Sequence, residues 1–294
     1  METVAFWSEG TKLAADIYRP EGEGASRPRP AIVLCHGWGG TKDEPALKRH
    51  AETFARAGFV SFALDYRGWG ESEGKVVARS SIPRERAEVT ASVQVIRELV
   101  DPFDEFWDVR RALDYLEGEP GVDSSRIGLW GSSLGGGLVV AVAAADRRVR
   151  CVVSQVAAQD TRGIGGESTG DQVRKLAIAE ARGAAESIPQ SGGMPGLQGV
   201  PHLSKLRFWA PIEEAERLEV PVLLIDAEHE ELMDRHQNSE LLHKRLVAAG
   251  KAETVYHVLQ GASHYEAYGE RWQETSDLAL GWFRRHLMGG QQPS

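Results

Sequence analysis

Residues Gly128–Leu138, GLWGSSLGGGL, set two serines among glycines directly after an apolar run. A serine hydroxyl becomes a nucleophile when a base takes its proton and preorganised donors receive the charge that develops on the attacked oxygen. The register selects one serine. Gly131 and Gly135 stand two residues either side of Ser133, whereas Ser132 has Trp130 and Leu134 at those positions. A strand turning sharply into a helix holds such a serine in a strained conformation, and neighbours two away crowd it unless they lack a Cβ. The helix that follows brings free N–H groups and the positive end of its dipole to the same place. The amide of Leu134 is therefore the first expected oxyanion donor. A dinucleotide-binding loop would need an acidic residue closing the next strand, which here ends in Ser154 and Gln155.

The remaining parts follow from what Ser133 needs. LCHGWGG (Leu34–Gly40) comes after the first expected parallel strand, and the backbone N–H of Trp38 is the expected second oxyanion donor. GWGGTK does not have P-loop spacing, and His36 is expected to brace the turn rather than to act as a base. In DYRGWGES (Asp65–Ser72), Asp65 and Arg67 are expected to tie down a turn. Of nine histidines, His264 in QGASHYEAYG follows the last strand across a glycine turn and lies after every candidate acid, so it is the expected base. His257 falls inside a strand pattern, while His229, His236, His243 and His286 read as solvated. A carboxylate must fix the imidazole tautomer, and DAEHEELMD offers Asp226, Glu228, Glu230, Glu231 and Asp234. Glu228 and Glu231 read as solvated charges. Glu230 lies far enough along to curl back and is favoured, with Asp226 next.

Short apolar runs alternating with helical patterns must position these groups, which is the pattern of a mostly parallel α/β sheet. Thr3–Trp7 and Lys12–Tyr18 form an expected antiparallel pair. Strands are expected at Ala31–Cys35, Val60–Leu64, Ile127–Trp130, Val149–Val156, Val220–Asp226 and Thr254–Leu259, giving about eight. Helices are expected at Ala46–Ala57, Phe106–Leu116, Leu134–Ala145 and Leu278–Leu287. Two stretches interrupt the pattern. Glu73–Asp104 is expected to be partly helical. Val156–Leu218 fits no strand, contains an expected helix at Asp171–Ala185, and reads as a lid inserted into one 1–294 domain. Phe208 and Trp209 within it are the candidate substrate-binding residues. The tail GGQQPS is expected to fray.

Composition narrows the partners. A net charge of −9 with interspersed charges argues against nucleic acid. No run of about 18 apolar residues is present to span a membrane, and no leader pattern opens the chain, so a cytoplasmic location is expected. Cys35 and Cys151, the only cysteines, read as small core residues. No HExxH or clustered Cys/His set calls for a metal, and no cofactor is expected. The partner is then a small-molecule acyl substrate, and a homodimer is compatible with the composition.

Taken together, CHGWGG, DYRGWGES, GSSLG and GASHYE resemble, in order, the oxyanion loop, D-x-R-G-x-G-x-S turn, nucleophile elbow and histidine loop of the α/β-hydrolase superfamily. The resemblance runs from about Thr11 to Leu287. It is nearest to the cocaine-esterase and Xaa-Pro dipeptidyl-peptidase group and to dienelactone-hydrolase-like proteins, although nothing in these residues resembles the extra β-sandwich domain of the first group. It implies a hydrolase of carboxylic esters or related acyl bonds, with Ser133, His264 and an acid. Aligning LLIDAEHEELMD on the superfamily pattern puts Glu230 at the acid's place, where aspartate is usual. Thioesterase, lactonase, peptidase or amidase activity would use the same groups. A non-catalytic small-molecule binder on this scaffold is the rival of a different class.

Overall fold

The computed structural model describes residues 1–21, 27–83, 85, 88–164, 166–189 and 191–289, without the side chains of 166–169. The expectation for the tail beyond Gly289 lies outside the described residues. Along the chain come β1 (Glu2–Ser8), β2 (Thr11–Tyr18), β3 (Arg29–Cys35), α1 (Pro45–Arg56), β4 (Val60–Leu64), β5 (Lys75–Ala78) and β6 (Val93–Ile96). Next are β7 (Leu99–Val100), α2 (Pro102–Gly118), β8 (Val122–Ser132), α3 (Leu134–Ala145), β9 (Val149–Gln155) and α4 (Gly166–Ala181). The chain ends with β10 (Val200–Pro201), α5 (Leu203–Leu206), a 3-10 turn at Pro211–Arg217, β11 (Val222–His229), α6 (Ser239–Ala249), β12 (Thr254–Ser263) and α7 (Trp272–Leu287).

Strands that are apolar on both faces need cover on both sides. Ala31, Val33 and Cys35 of β3 face one core, and Ile32 and Leu34 face the other. In β11, Val222 and Leu224 alternate in the same way with Leu223, Ile225 and Ala227. Helices α2, α3 and α6 cover the first face, through residues such as Val109, Leu138 and Leu242. Helices α1 and α7 cover the second, through Phe54 and Phe283. The result is an eight-stranded sheet in the order β1-β2-β4-β3-β8-β9-β11-β12. Only β2 runs against its neighbours β1 and β4; the other pairings are parallel. The expected antiparallel opening and parallel remainder are both found. Cys35 and Cys151 are buried and unpaired, as expected of core residues. Among the described residues, no helix is long and apolar enough to cross a membrane.

The two interruptions differ from expectation. The stretch read as partly helical forms an antiparallel hairpin, with Val76 opposite Val95 and Ala78 opposite Val93. Its runs KVVA and VQVI alternate with a period of two, and β-branched residues suit a pleated ribbon better than a helix. The segment expected to lack strands supplies β10, which pairs in parallel with β7 through Val200–Leu99 and Pro201–Val100. The two insertions are thus stitched to each other. The helix in the second begins at Gly166 and ends at Ala181, earlier at both ends than its expected Asp171–Ala185. Helix α6, between the acidic loop and β12, has no counterpart among the expected helices.

Candidate active site

The turn from β8 into α3 is built on strain and close contact. Ser133 has φ 53° and ψ −122°, a conformation that costs a non-glycine residue about 1–3 kcal/mol unless its surroundings enforce it. Those surroundings are tight. A Cβ on Gly131 would overlap the carbonyl oxygen of Gly135, and one on Gly135 would overlap the carbonyl oxygens of Cys35 and His36. Both glycines let three backbone segments touch. The Ser133 N–H donates to the Gln155 carbonyl at 2.9 Å, tying the turn to β9. Leu134 is the first residue of α3, so its N–H has no acceptor within the helix.

The loop after β3 lies against this turn, since a Cβ on Gly37 would come within 3.0 Å of the Ser133 Cβ. The peptide joining Gly37 to Trp38 therefore borders the nucleophile candidate. His36 braces the loop. Its Nδ1–H donates to the Gly37 carbonyl at 2.9 Å, its ring lies 4.1 Å from that of Tyr66, and burial pushes its pKa down to about 4. The DYRGWGES turn is held as expected of a structural element. Asp65 accepts the N–H groups of Lys42 (2.7 Å) and Glu71 (2.9 Å), and Arg67 pairs with buried Asp108 at 2.7 Å.

On the far side of the sheet's carboxyl edge, the Nδ1–H of His264 donates to both carboxylate oxygens of Glu230, at 2.9 and 2.8 Å. The two side chains are each only 2% exposed. Asp226 has other partners. It accepts hydrogen bonds from the hydroxyls of Ser239 (3.2 Å) and Tyr256 (3.0 Å), and burial raises its pKa to about 7. Glu231 is exposed and Glu228 half-buried, so solvent reaches both, but each also holds a backbone N–H. Glu228 accepts the Gly261 N–H at 2.7 Å, and Glu231 accepts the His264 N–H at 2.8 Å. Three carboxylates at and just beyond the end of β11 thus grip the end of β12 and the histidine that follows it. A cluster of acids facing a glycine-containing turn is the available signal, but which backbone donors they meet depends on the pairing of β11 with β12. His286 also departs from expectation, its ring packing on Trp282 at 4.3 Å.

A cavity of about 470 Å³ opens over these groups. Ser132, Ser133 and His264 line it with Gly37 and Trp38, and Leu197, Leu232, Tyr265 and Tyr268 complete much of the apolar wall. The Glu44 carboxylate, whose pKa burial raises, and Arg49 stand at the same wall. Phe208 and Trp209, expected to contact substrate, do not line this cavity. Phe208 is 66% exposed on the surface, and Trp209 is buried in the core with its ring 5.5 Å from Phe103. The inserted segment reaches the cavity elsewhere, through Leu197 and a hydrogen bond from the Trp38 indole N–H to the Gln198 carbonyl at 3.1 Å. An aromatic pair in a sequence marks packing strength and not its direction, so it does not single out the residues of the wall.

A mostly parallel eight-stranded sheet whose strained serine sits where a central strand meets its helix is the architecture of the α/β-hydrolases, and matches to two serine-hydrolase family models make the chain a serine hydrolase of that fold. More closely, it belongs to the X-Pro dipeptidyl-peptidase (S15) family, whose model matches residues 9–178; the prolyl oligopeptidase family model matches residues 103–290. An uncharacterized 31.7 kDa protein of the traX-finO intergenic region in Escherichia coli is 29% identical over 311 residues, covering 95% of this chain and 97% of that one. The quorum-quenching protein AidA of Acinetobacter baumannii is 35% identical over 152 residues, covering 52% of this chain and 42% of AidA. The structure of DcsB in complex with its substrate analogue has a TM-score of 0.77 at 20% identity, covering 98% of this chain and 99% of that one. That likeness is one of fold.

Proposed function

We propose that this hydrolase cleaves carboxylic esters or related acyl bonds of small molecules. Ser133 is the nucleophile, His264 its base, Glu230 the acid that holds the base, and the amides of Trp38 and Leu134 the oxyanion donors. His264 takes the Ser133 proton as Oγ attacks the carbonyl carbon, and the protonated ring then supplies that proton to the leaving group. Water, activated by the same ring, releases the acyl group from Ser133. The observation that carries this reading is the Glu230–His264 pair. Its Nδ1 is fixed by both carboxylate oxygens, and its ring lines the same cavity as the strained Ser133. The cavity's size and aromatic walls suit a small, largely apolar acyl group.

A fluorophosphonate probe tests the assignment. The folded wild type should be labelled at Ser133. The Ser133→Ala variant should be unlabelled and slower by about four to six powers of ten. A wild type that stays unlabelled while folded would mean a binder rather than an enzyme. The matches to two peptidase families favour amide cleavage as a second reading. Graded p-nitrophenyl esters assayed beside thioesters, lactones and aminoacyl amides separate the two, and amides turned over faster than esters would replace the first reading with the second.

A further inference from the structure

Tyr268 has no part in the roles assigned above, yet it stands at their centre. It lies four residues beyond His264 on the same turn, lines the same cavity as Ser132 and Ser133, and places its hydroxyl 3.3 Å from His264 Nε2. The Nδ1–H of the ring is engaged by Glu230, so Nε2 of the neutral imidazole is an acceptor. The Tyr268 O–H must then be the donor in that contact. Burial also pushes its pKa above the ordinary value, which keeps it a protonated donor. A phenol hydroxyl and the imidazole nitrogen therefore meet in the cavity that Ser133 lines, where protons must move.

We propose that Tyr268 is a further catalytic residue, donating its hydrogen bond to His264 Nε2 in the resting enzyme and to the leaving-group heteroatom in the tetrahedral intermediate. The inference rests on the hydrolase reading above. As Oγ of Ser133 bonds to the carbonyl carbon, the carbonyl π pair moves onto its oxygen and the Ser133 proton passes to Nε2. Nε2 has one lone pair, so the Tyr268 O–H gives it up as the Ser133 proton arrives, and the protonated nitrogen no longer accepts a hydrogen bond. The Tyr268 O–H is released at the position where the leaving group must collect its proton. On collapse, the carbon–heteroatom bond breaks and its electron pair takes the proton from Nε2. Tyr268 shares the charge that builds on the heteroatom and keeps its own proton throughout. A hydrogen bond gained only at that stage lowers the barrier without tightening substrate binding.

The test is Tyr268→Phe, which keeps the ring in the cavity wall, assayed on esters sharing one acyl group and differing in leaving group. Losses in kcat/KM, which reports acylation, are expected to be about 10- to 100-fold for alkyl esters and under about threefold for the p-nitrophenyl ester, whose leaving group needs little help. A plot of log kcat/KM against leaving-group pKa should therefore steepen in the variant. A tyrosine that only packs against His264 would lower every ester alike. Equal losses across the series, or none, overturn the role of Tyr268 while leaving Ser133 as nucleophile. A wild type inert to the whole series and unlabelled at Ser133 overturns the hydrolase reading, and this inference with it.

Discussion

The Gly131–Gly135 elbow and the Glu228–Asp234 loop hold the two halves of the site by opposite means. The elbow works by leaving side chains out, so that the Gly131 and Gly135 backbones lie against neighbouring carbonyl groups with no room for a methyl. The loop works by adding carboxylates, with Glu228 on the Gly261 N–H, Glu230 on the His264 ring and Glu231 on the His264 N–H. Exclusion admits one residue type, whereas recruitment spreads a task over several. Changes in the elbow should therefore be all or none, and changes in the loop graded by which donor each acid serves.

The largest effect belongs to the elbow. Gly135→Ala drives a methyl into the backbone carbonyls of Cys35 and His36, which cannot swing aside as a side chain could. We expect a loss of at least about 3 kcal/mol in stability and no measurable turnover, read by thermal unfolding and by fluorophosphonate labelling. A stable, active Gly135→Ala would mean that the elbow yields, and the contrast with the loop would disappear.

Within the loop, the contrast lies between two acids four residues apart. Glu230→Gln keeps the shape but can present an amide to Nδ1, which disturbs the tautomer, and should lower kcat by about three to four powers of ten. Asp226→Asn should cost less than about tenfold, because Asp226 meets the Ser239 and Tyr256 hydroxyls and not the ring. A severe loss confined to Asp226→Asn would reverse the assignment of the acid.

The same contrast explains what can be read from the residues alone. Ser133 is legible because nothing replaces glycine at Gly131 and Gly135, and the central strands because apolar runs bounded by turns admit few alternatives. His264 follows from its place after the last strand. Glu230 is legible only as one choice among several acids, since sequence does not say which carboxylate meets the ring. Glu231 reads as a solvated charge because its partner, the His264 N–H, is set by long-range pairing of β11 with β12. The cavity wall is harder still. Leu197 arrives from a segment fastened by the β7–β10 ladder, a pairing of two residues on each side that no local pattern announces. Tyr268 is visible in HYEAY, but its approach to Nε2 depends on how the turn after β12 closes beside the cavity.

The effect with the least bearing on turnover concerns Asp226 and is read in stability rather than rate. Burial raises Asp226 to about 7 in the folded chain, against 3.8 ordinarily. Between about pH 4 and 7 the folded carboxyl keeps a proton that the unfolded chain has released, so its contribution to stability is full below about pH 4 and is lost as pH rises through 7. The linkage amounts to at most about 4 kcal/mol. The carboxamide that Asp226→Asn introduces cannot ionise and escapes that loss. The variant's Tm minus that of the wild type should therefore become more positive from pH 4 to pH 8. His36 and His50, both pushed down to about 4 by burial, act in the other direction, stabilising above about 6.5 and failing as pH falls. They are common to both proteins and cancel in the difference. A Tm difference that stays flat with pH would mean that Asp226 is ionised in the folded chain.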